Sequence, residues 1–152
     1  MAITVLPLAK LKECIGDEKT SDWIEITQDR IERFADCTED RNFIHVDPER
    51  AKTGPFGGTV AHGFLILSLL SHLSASGMWI PEGITGAVNY DFDRVRFISP
   101  VPSGSRIRSA MRLVGVEEKE SGGILVIVLH TVRAESSEKP ALVAEWISMF
   151  IQ

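Results

Sequence analysis

From Thr53 to Pro81 the chain carries no Asp, Glu, Lys or Arg, and this stretch constrains the fold more than any other. Gly54, Pro55, Gly57 and Gly58 break its start and Gly77 interrupts its end, so the spacing predicts a helix over roughly Thr59 to Ser76. Within it Val60, Ala61, Phe64, Leu65, Ile66, Leu67, Leu69, Leu70 and Leu73 cover nearly the whole circumference. A helix apolar on all sides must be enclosed by lipid or by the rest of its own protein. A membrane-crossing helix needs about 20 apolar residues, and His62, His72 and several serines interrupt this one. The expectation is therefore a buried helix in a soluble domain, with no membrane span.

The rest of the chain must supply the enclosure. The second half reads as four strands, Thr85–Phe97, Ser105–Val116, Ile124–Ala134 and Ala141–Ile151, separated by turn signals at Pro100–Gly104, Glu117–Gly123 and Glu135–Pro140. Such short connections favour antiparallel neighbours. The first half is helical and irregular. Trp23–Thr27 alternates like a short strand, and Thr27 or Gln28 opens a helix through Ile31, Phe34 and Ala35 that fades near Thr38. A loop over Thr38–Asp47 follows, and Pro48 suits the first turn of a short helix ending near Gly54. The sum is α+β, one long central helix and an antiparallel sheet long enough to wrap it. At 152 residues one domain spanning residues 1–152 is expected.

The net charge of −5 argues against a nucleic-acid partner, although Arg94, Arg96, Arg106, Arg108 and Arg112 lie close together in sequence. Two cysteines, Cys14 and Cys37, make no disulfide framework, and neither Cys-x-x-Cys nor a paired-His spacing suggests a metal. No signal-peptide pattern is read in Met1–Lys12, so a cytoplasmic setting is expected.

Three segments carry residues with chemistry. In Asp40-Arg41-Asn42-Phe43-Ile44-His45 the acid and the imidazole are five apart, off a common helical face, so they converge only if the chain turns between them. Asn42 tolerates such a turn. A convergent pair offers acid–base chemistry near neutral pH. Spacing alone favours the plainer alternative, in which Asp40 caps a turn and His45 packs beside Pro48.

In Gly57-Gly58-Thr59-Val60-Ala61-His62-Gly63-Phe64 the start of the buried helix offers free N–H groups and the positive end of a dipole, the parts of an oxyanion hole. Gly63 serves equally well as a point of close packing. A hole at Gly63 requires the helix to begin after Thr59, because an N-cap at Thr59 leaves the Gly63 N–H bonded within the helix. His62 helps fix the helix start or is a satisfied core histidine, and the second is favoured. The strand Asn89–Phe97 sets Phe92, Arg94 and Arg96 against Val95 and Phe97, two unlike faces. A solvated or ion-paired face is the reading for Arg94, and an anion contact stays open for Arg96. His72, His130 and Cys37 receive no catalytic role.

Taken together, Glu39-Asp40-Arg41-Asn42-Phe43-Ile44-His45, Ala61-His62-Gly63 and Val95-Arg96-Phe97-x-x-Pro100-Val101 resemble the MaoC-like dehydratases, the R-specific enoyl-CoA hydratases with their nodulation-protein-N-like branch. The family pattern is Gly-Asp-x-Asn-Pro-aliphatic-His, and the likeness runs over about residues 20 to 150. It implies a hot-dog fold, a homodimer and reversible addition of water across a trans-2-enoyl thioester of fatty acid metabolism, giving an R-3-hydroxyacyl product. It implies Asp40 and His45 as the catalytic pair, the Gly63 N–H as oxyanion donor and Asn42 as the residue shaping the loop. Asn42, His62, Asn89 and Arg96 are carried as substrate-binding candidates, and Phe64, Trp79 and Tyr90 as side chains setting tunnel depth. It also implies no metal or redox cofactor, CoA or acyl carrier protein being only the carrier of the substrate. Glu39 and Phe43 replace the family glycine and proline; Phe43 lacks proline's fixed φ, and Glu39 adds charge beside Asp40. The rival readings are an acyl-CoA thioesterase on the same fold and a non-catalytic acyl-binding subunit.

Overall fold

The computed structural model describes residues 3–75, 77–120 and 122–152. In chain order the elements are β1 (Thr4–Leu6), α1 (Leu8–Glu13), β2 (Glu18–Thr20), β3 (Ile24–Glu25), α2 (Gln28–Thr38), α3 (Phe43–Val46) and α4 (Pro48–Ala51). Then come α5 (Gly63–Ser68), α6 (Leu70–Ser74), β4 (Trp79–Pro81), β5 (Gly86–Phe97), β6 (Arg106–Glu118), β7 (Ile124–Ala134) and β8 (Pro140–Ile151). The main sheet runs β2-β6-β7-β8-β5, with β3 also on β6, and every pairing in it is antiparallel. A separate parallel pair joins β1 to β4, both absent from the sequence expectation.

The long strands follow their side-chain alternation. On β6, Ile107, Ser109, Met111 and Leu113 are buried while the residues between them are exposed. One face can therefore pack on helix while the other meets solvent. Leu65, Ile66, Leu70 and Leu73 from α5 and α6 meet Ile107, Val132, Leu142, Ala144 and Trp146 from the sheet in one core cluster. A second cluster gathers Leu11, Trp79, Met111, Leu113, Ile124 and Phe150 at the other end. This is the sheet curved around a central helix, the hot-dog arrangement.

Three expectations are corrected. The central helix begins at Gly63, four residues after Thr59, and is interrupted at Leu69; its expected end at Ser76 lies outside the described residues. Residues 59–62 are extended because their backbone groups are taken elsewhere. The Val60 N–H bonds Ile44 O and the Ala61 N–H bonds Val101 O, while Val60 bridges Pro102. The helix is not enclosed all round either. Phe64 is 67% exposed and meets the half-exposed Phe97 edge-on, with ring centroids 5.7 Å apart.

The third correction concerns β5. It bulges between Asn89 and Asp91 and again between Asp93 and Arg96, with Arg94 at φ 54°. Each bulge adds an unpaired residue, so the regular two-faced alternation of Phe92, Arg94 and Arg96 does not survive. β5 is also the terminal strand of the sheet and is exposed along most of its length.

Candidate active site

The site begins where α2 ends. Thr27 caps that helix by accepting from the Arg30 N–H at 3.2 Å, a contact worth about 1 kcal/mol. Ile31 and Ala35 then bury one face. The helix closes at Glu39, whose φ of 61° is left-handed. The resembled pattern has a glycine at this position, and a residue without Cβ adopts that angle freely.

The reversal at Glu39 turns Asp40 back, and the Asp40 carboxylate accepts from the Asn42 N–H at 3.4 Å. Asn42 in turn caps the one-turn helix α3 by accepting from the Ile44 N–H at 3.4 Å. The segment expected to be irregular over Thr38–Asp47 thus contains a helical turn that carries His45. An Asp40 carboxylate oxygen, a His45 ring nitrogen and a His62 ring nitrogen all lie within 4.8 Å of one another. Asp40 is exposed and His45 is buried.

His45 is held by two backbone contacts. Its Nδ1 lies 2.6 Å from Val60 O. A carbonyl oxygen only accepts, so Nδ1 carries the proton and Nε2 keeps its lone pair. Burial pushes the His45 pKa below the usual imidazole value, against the opposing bond to Val60; the nearby His62 lowers it further and Asp40 raises it. The His45 carbonyl accepts from Gln28 Nε2 at 2.8 Å, and Gln28 Oε1 accepts from the Thr59 hydroxyl at 2.7 Å. Gln28 and Thr59 thereby tie α2, α3 and the strand entering α5 together. Sequence reasoning missed both, because their partners lie 17 and 31 residues away and no local pattern announces them.

His62 stacks on His45 with centroids 3.7 Å apart and planes at 25°. Its Nε2 lies 2.9 Å from the Asp40 carbonyl. It occupies the N-cap position of α5 without capping it through its side chain, and its Nδ1 has no partner among the described residues. It is thus neither the helix-start device nor the fully satisfied core histidine expected from sequence. Two imidazoles lying face to face hold their lone pairs in separate, near-parallel planes. That arrangement disfavours joint in-plane ligation of one tetrahedral ion by the Asp40, His45 and His62 set.

A cavity of about 250 Å³ opens beside His45 and is lined by Gly63, Ile66, Phe97, Val101 and Ala141 among others. Gly63 is the first residue of α5, so its N–H has no intrahelical acceptor. A Cβ at Gly63 would lie 2.9 Å from Phe97 Cδ1, so a side chain there would crowd the cavity wall. The sequence candidates Asn89 and Arg96 are not part of this lining. Asn89 borders a separate groove with Ser68, Ser71 and Trp146. Nor do the expected depth-setting side chains line it: Phe64 and Tyr90 are exposed, and Trp79 belongs to the second core cluster. The bulges of β5 interrupt its alternation, so parity along the strand no longer tells which way Arg96 faces.

The model of the MaoC like domain matches residues 12–135. The 3-hydroxyacyl-thioester dehydratase Z of Mycobacterium tuberculosis is 50% identical over 131 residues, 86% of each chain. Nodulation protein N of Rhizobium leguminosarum is 46% identical over 146 residues, 95% of this chain and 91% of that one. An unliganded R-hydratase of Pseudomonas aeruginosa superposes with a TM-score of 0.75 at 23% identity, over 96% of this chain and 86% of that one. A helix packed against a wrapped antiparallel sheet is the hot-dog fold, and the relatives named for dehydration make this a hydro-lyase of that fold. The chain belongs to the MaoC-like dehydratase family.

Proposed function

We propose that the protein is an R-specific 3-hydroxyacyl-thioester dehydratase, or in reverse an enoyl-CoA hydratase, with Asp40 and His45 as its acid–base pair. The observation that carries this reading is the convergence of the two groups to within 4.8 Å although the chain separates them by five residues. The His45 tautomer supports it further, because Nδ1 is committed to Val60 O and Nε2 is left as a base.

In the hydration direction the thioester carbonyl of a trans-2-enoyl substrate lies in the cavity against the Gly63 N–H. Water held between Asp40 and His45 adds its oxygen to the β-carbon, and His45 Nε2 takes the released proton. The His45 imidazolium then gives that proton to the α-carbon while the Asp40 carboxylate orients the water, so one water is consumed and both groups return to their starting state. Negative charge builds on the thioester oxygen in the transition state, where the Gly63 N–H and the positive end of α5 stabilise it more than in the ground state. The reaction moves no electrons and needs no redox partner, and CoA enters as the handle of the substrate. Asn42 acts on the loop as its cap.

The assembly proposed is a homodimer. The terminal strand β5 leaves an unpaired edge, and Phe64, Phe97, Val88 and Tyr90 are all more than 40% exposed on or beside it. A second copy would cover both. We place the protein in the cytoplasm, a setting supported by its two free cysteines; among the described residues no helix is long and apolar enough to cross a membrane.

Crotonyl-CoA tests the activity directly. Loss of the enoyl absorbance is expected, with chirally resolved R-3-hydroxybutyryl-CoA as product. Release of free thiol in its place would reassign the protein to hydrolysis, and no turnover across a series of chain lengths would make it an acyl-binding subunit.

A further inference from the structure

The mechanism above leaves His62 without a task, although the histidine is 3% exposed and touches both members of the pair. Its Nε2 faces the Asp40 carbonyl at 2.9 Å, and since that oxygen only accepts, Nε2 carries the proton and Nδ1 is bare. One face of the ring lies on His45 at 3.7 Å, and the ring also meets Phe34 of α2 at 5.0 Å. One side chain therefore links the loop bearing the acid, the turn bearing the base and the helix before them.

Resting on the assignment of Asp40 and His45 as the reacting pair, we propose that His62 is a positioning residue. Its N–H anchors the Asp40 backbone, holding the carboxylate at the separation from the His45 imidazole that a shared water requires. The need for such a clamp follows from the local chain. Asp40 follows a left-handed residue, is exposed, and has one 3.4 Å contact from its side chain to the loop, which is long for a hydrogen bond. The turn does not immobilise Asp40 by itself. His45 is well fixed by Val60 and Gln28, so the coordinate most exposed to drift is that of Asp40 relative to it. Misplacement of one reacting group by a fraction of an ångström is costly in rate and nearly invisible in binding.

Two variants separate the contributions. His62→Phe keeps a ring for the stack and removes the donor, whereas His62→Gln keeps a donor and removes the ring. With crotonyl-CoA, His62→Phe is expected to lower kcat at least ~10-fold with KM within about twofold. His62→Gln is expected to recover most of that loss. Wild-type kcat in folded His62→Phe overturns the proposal, and so does an equal loss in both variants.

A measurement on the unmodified protein holds even where a variant fails to fold. Long-range ¹H–¹⁵N correlation of the imidazoles is expected to show His62 protonated at Nε2 and His45 at Nδ1. A His62 protonated at Nδ1 and bare at Nε2 excludes the bond to Asp40 and overturns the proposal. Asp40→Asn and His45→Gln serve as the separate control on the catalytic reading. If both retain wild-type kcat, that reading falls, whatever the imidazole tautomers are.

Discussion

Acid should destabilise this protein through one residue outside the Asp40/His45 pair. His130 on β7 is wholly buried; its Nδ1 lies 3.0 Å from Ser109 Oγ and its Nε2 has no partner among the described residues. Desolvation depresses its pKa from 6.5 to about 4. In the unfolded chain the same imidazole takes up its proton near pH 6.5. The folded state refuses that proton until about pH 4, so the unfolded state binds more protons across the interval. The stability that neutral His130 confers is complete above pH 6.5 and is lost as the pH falls towards 4. The slope approaches about 1.4 kcal/mol per pH unit and the total is about 3 kcal/mol, a large share of a typical domain's stability. The perturbation is His130→Gln, which removes the titration and keeps an amide able to reach Ser109. The assay is urea unfolding of both proteins at pH 7.5, 6.0, 5.0 and 4.5. Groups common to the two proteins cancel in the difference, so the variant should gain on the wild type as the pH falls. Parallel loss of stability by both proteins across the window would refute the assignment.

Further outcomes follow from the site. Asp40→Asn and His45→Gln should each lower kcat by at least ~10²-fold while circular dichroism and Tm stay near wild type. Because His45 titrates below the ordinary imidazole value, the acid limb of kcat/KM should have its midpoint below pH 6.5; a midpoint above that value contradicts the buried base. Glu39→Gly should relieve the left-handed residue at the end of α2 and gain up to about 1 kcal/mol, read as a Tm rise of roughly 2–4 °C. At Gly63 the comparison is between Ala, which adds a Cβ and keeps the N–H, and Pro, which removes the N–H at a helical position that tolerates it. The extended His62, with ψ of 137°, suits a following proline. Pro should cost ~10²- to 10³-fold more in kcat than Ala if the Gly63 N–H meets the oxyanion.

Much of the architecture was legible in the residues because two periodicities announce it. Side-chain alternation placed all four long strands, and Ile124–Ala134 matches to the residue. The uncharged stretch identified the central helix, and the order of three short motifs pointed to the family. Glu39 was legible as a departure from the resembled pattern, and its φ of 61° is an angle that a glycine adopts freely.

What tertiary structure decided was where long-range contacts overrule local preference. The segment 59–62 continues into the uncharged helical stretch, yet Ile44 O, Val101 O and Pro102 claim its backbone, so the helix starts at Gly63 and frees that N–H. The bulges of β5 broke the two-faced alternation that Phe92, Arg94 and Arg96 suggested. Convergence of Asp40 and His45 was possible from their spacing. It became actual because Gln28, Val60 and Thr59, all distant in sequence, hold the turn between them. A local sequence specifies which conformations are cheap; the competition for backbone donors and acceptors across the folded chain selects among them.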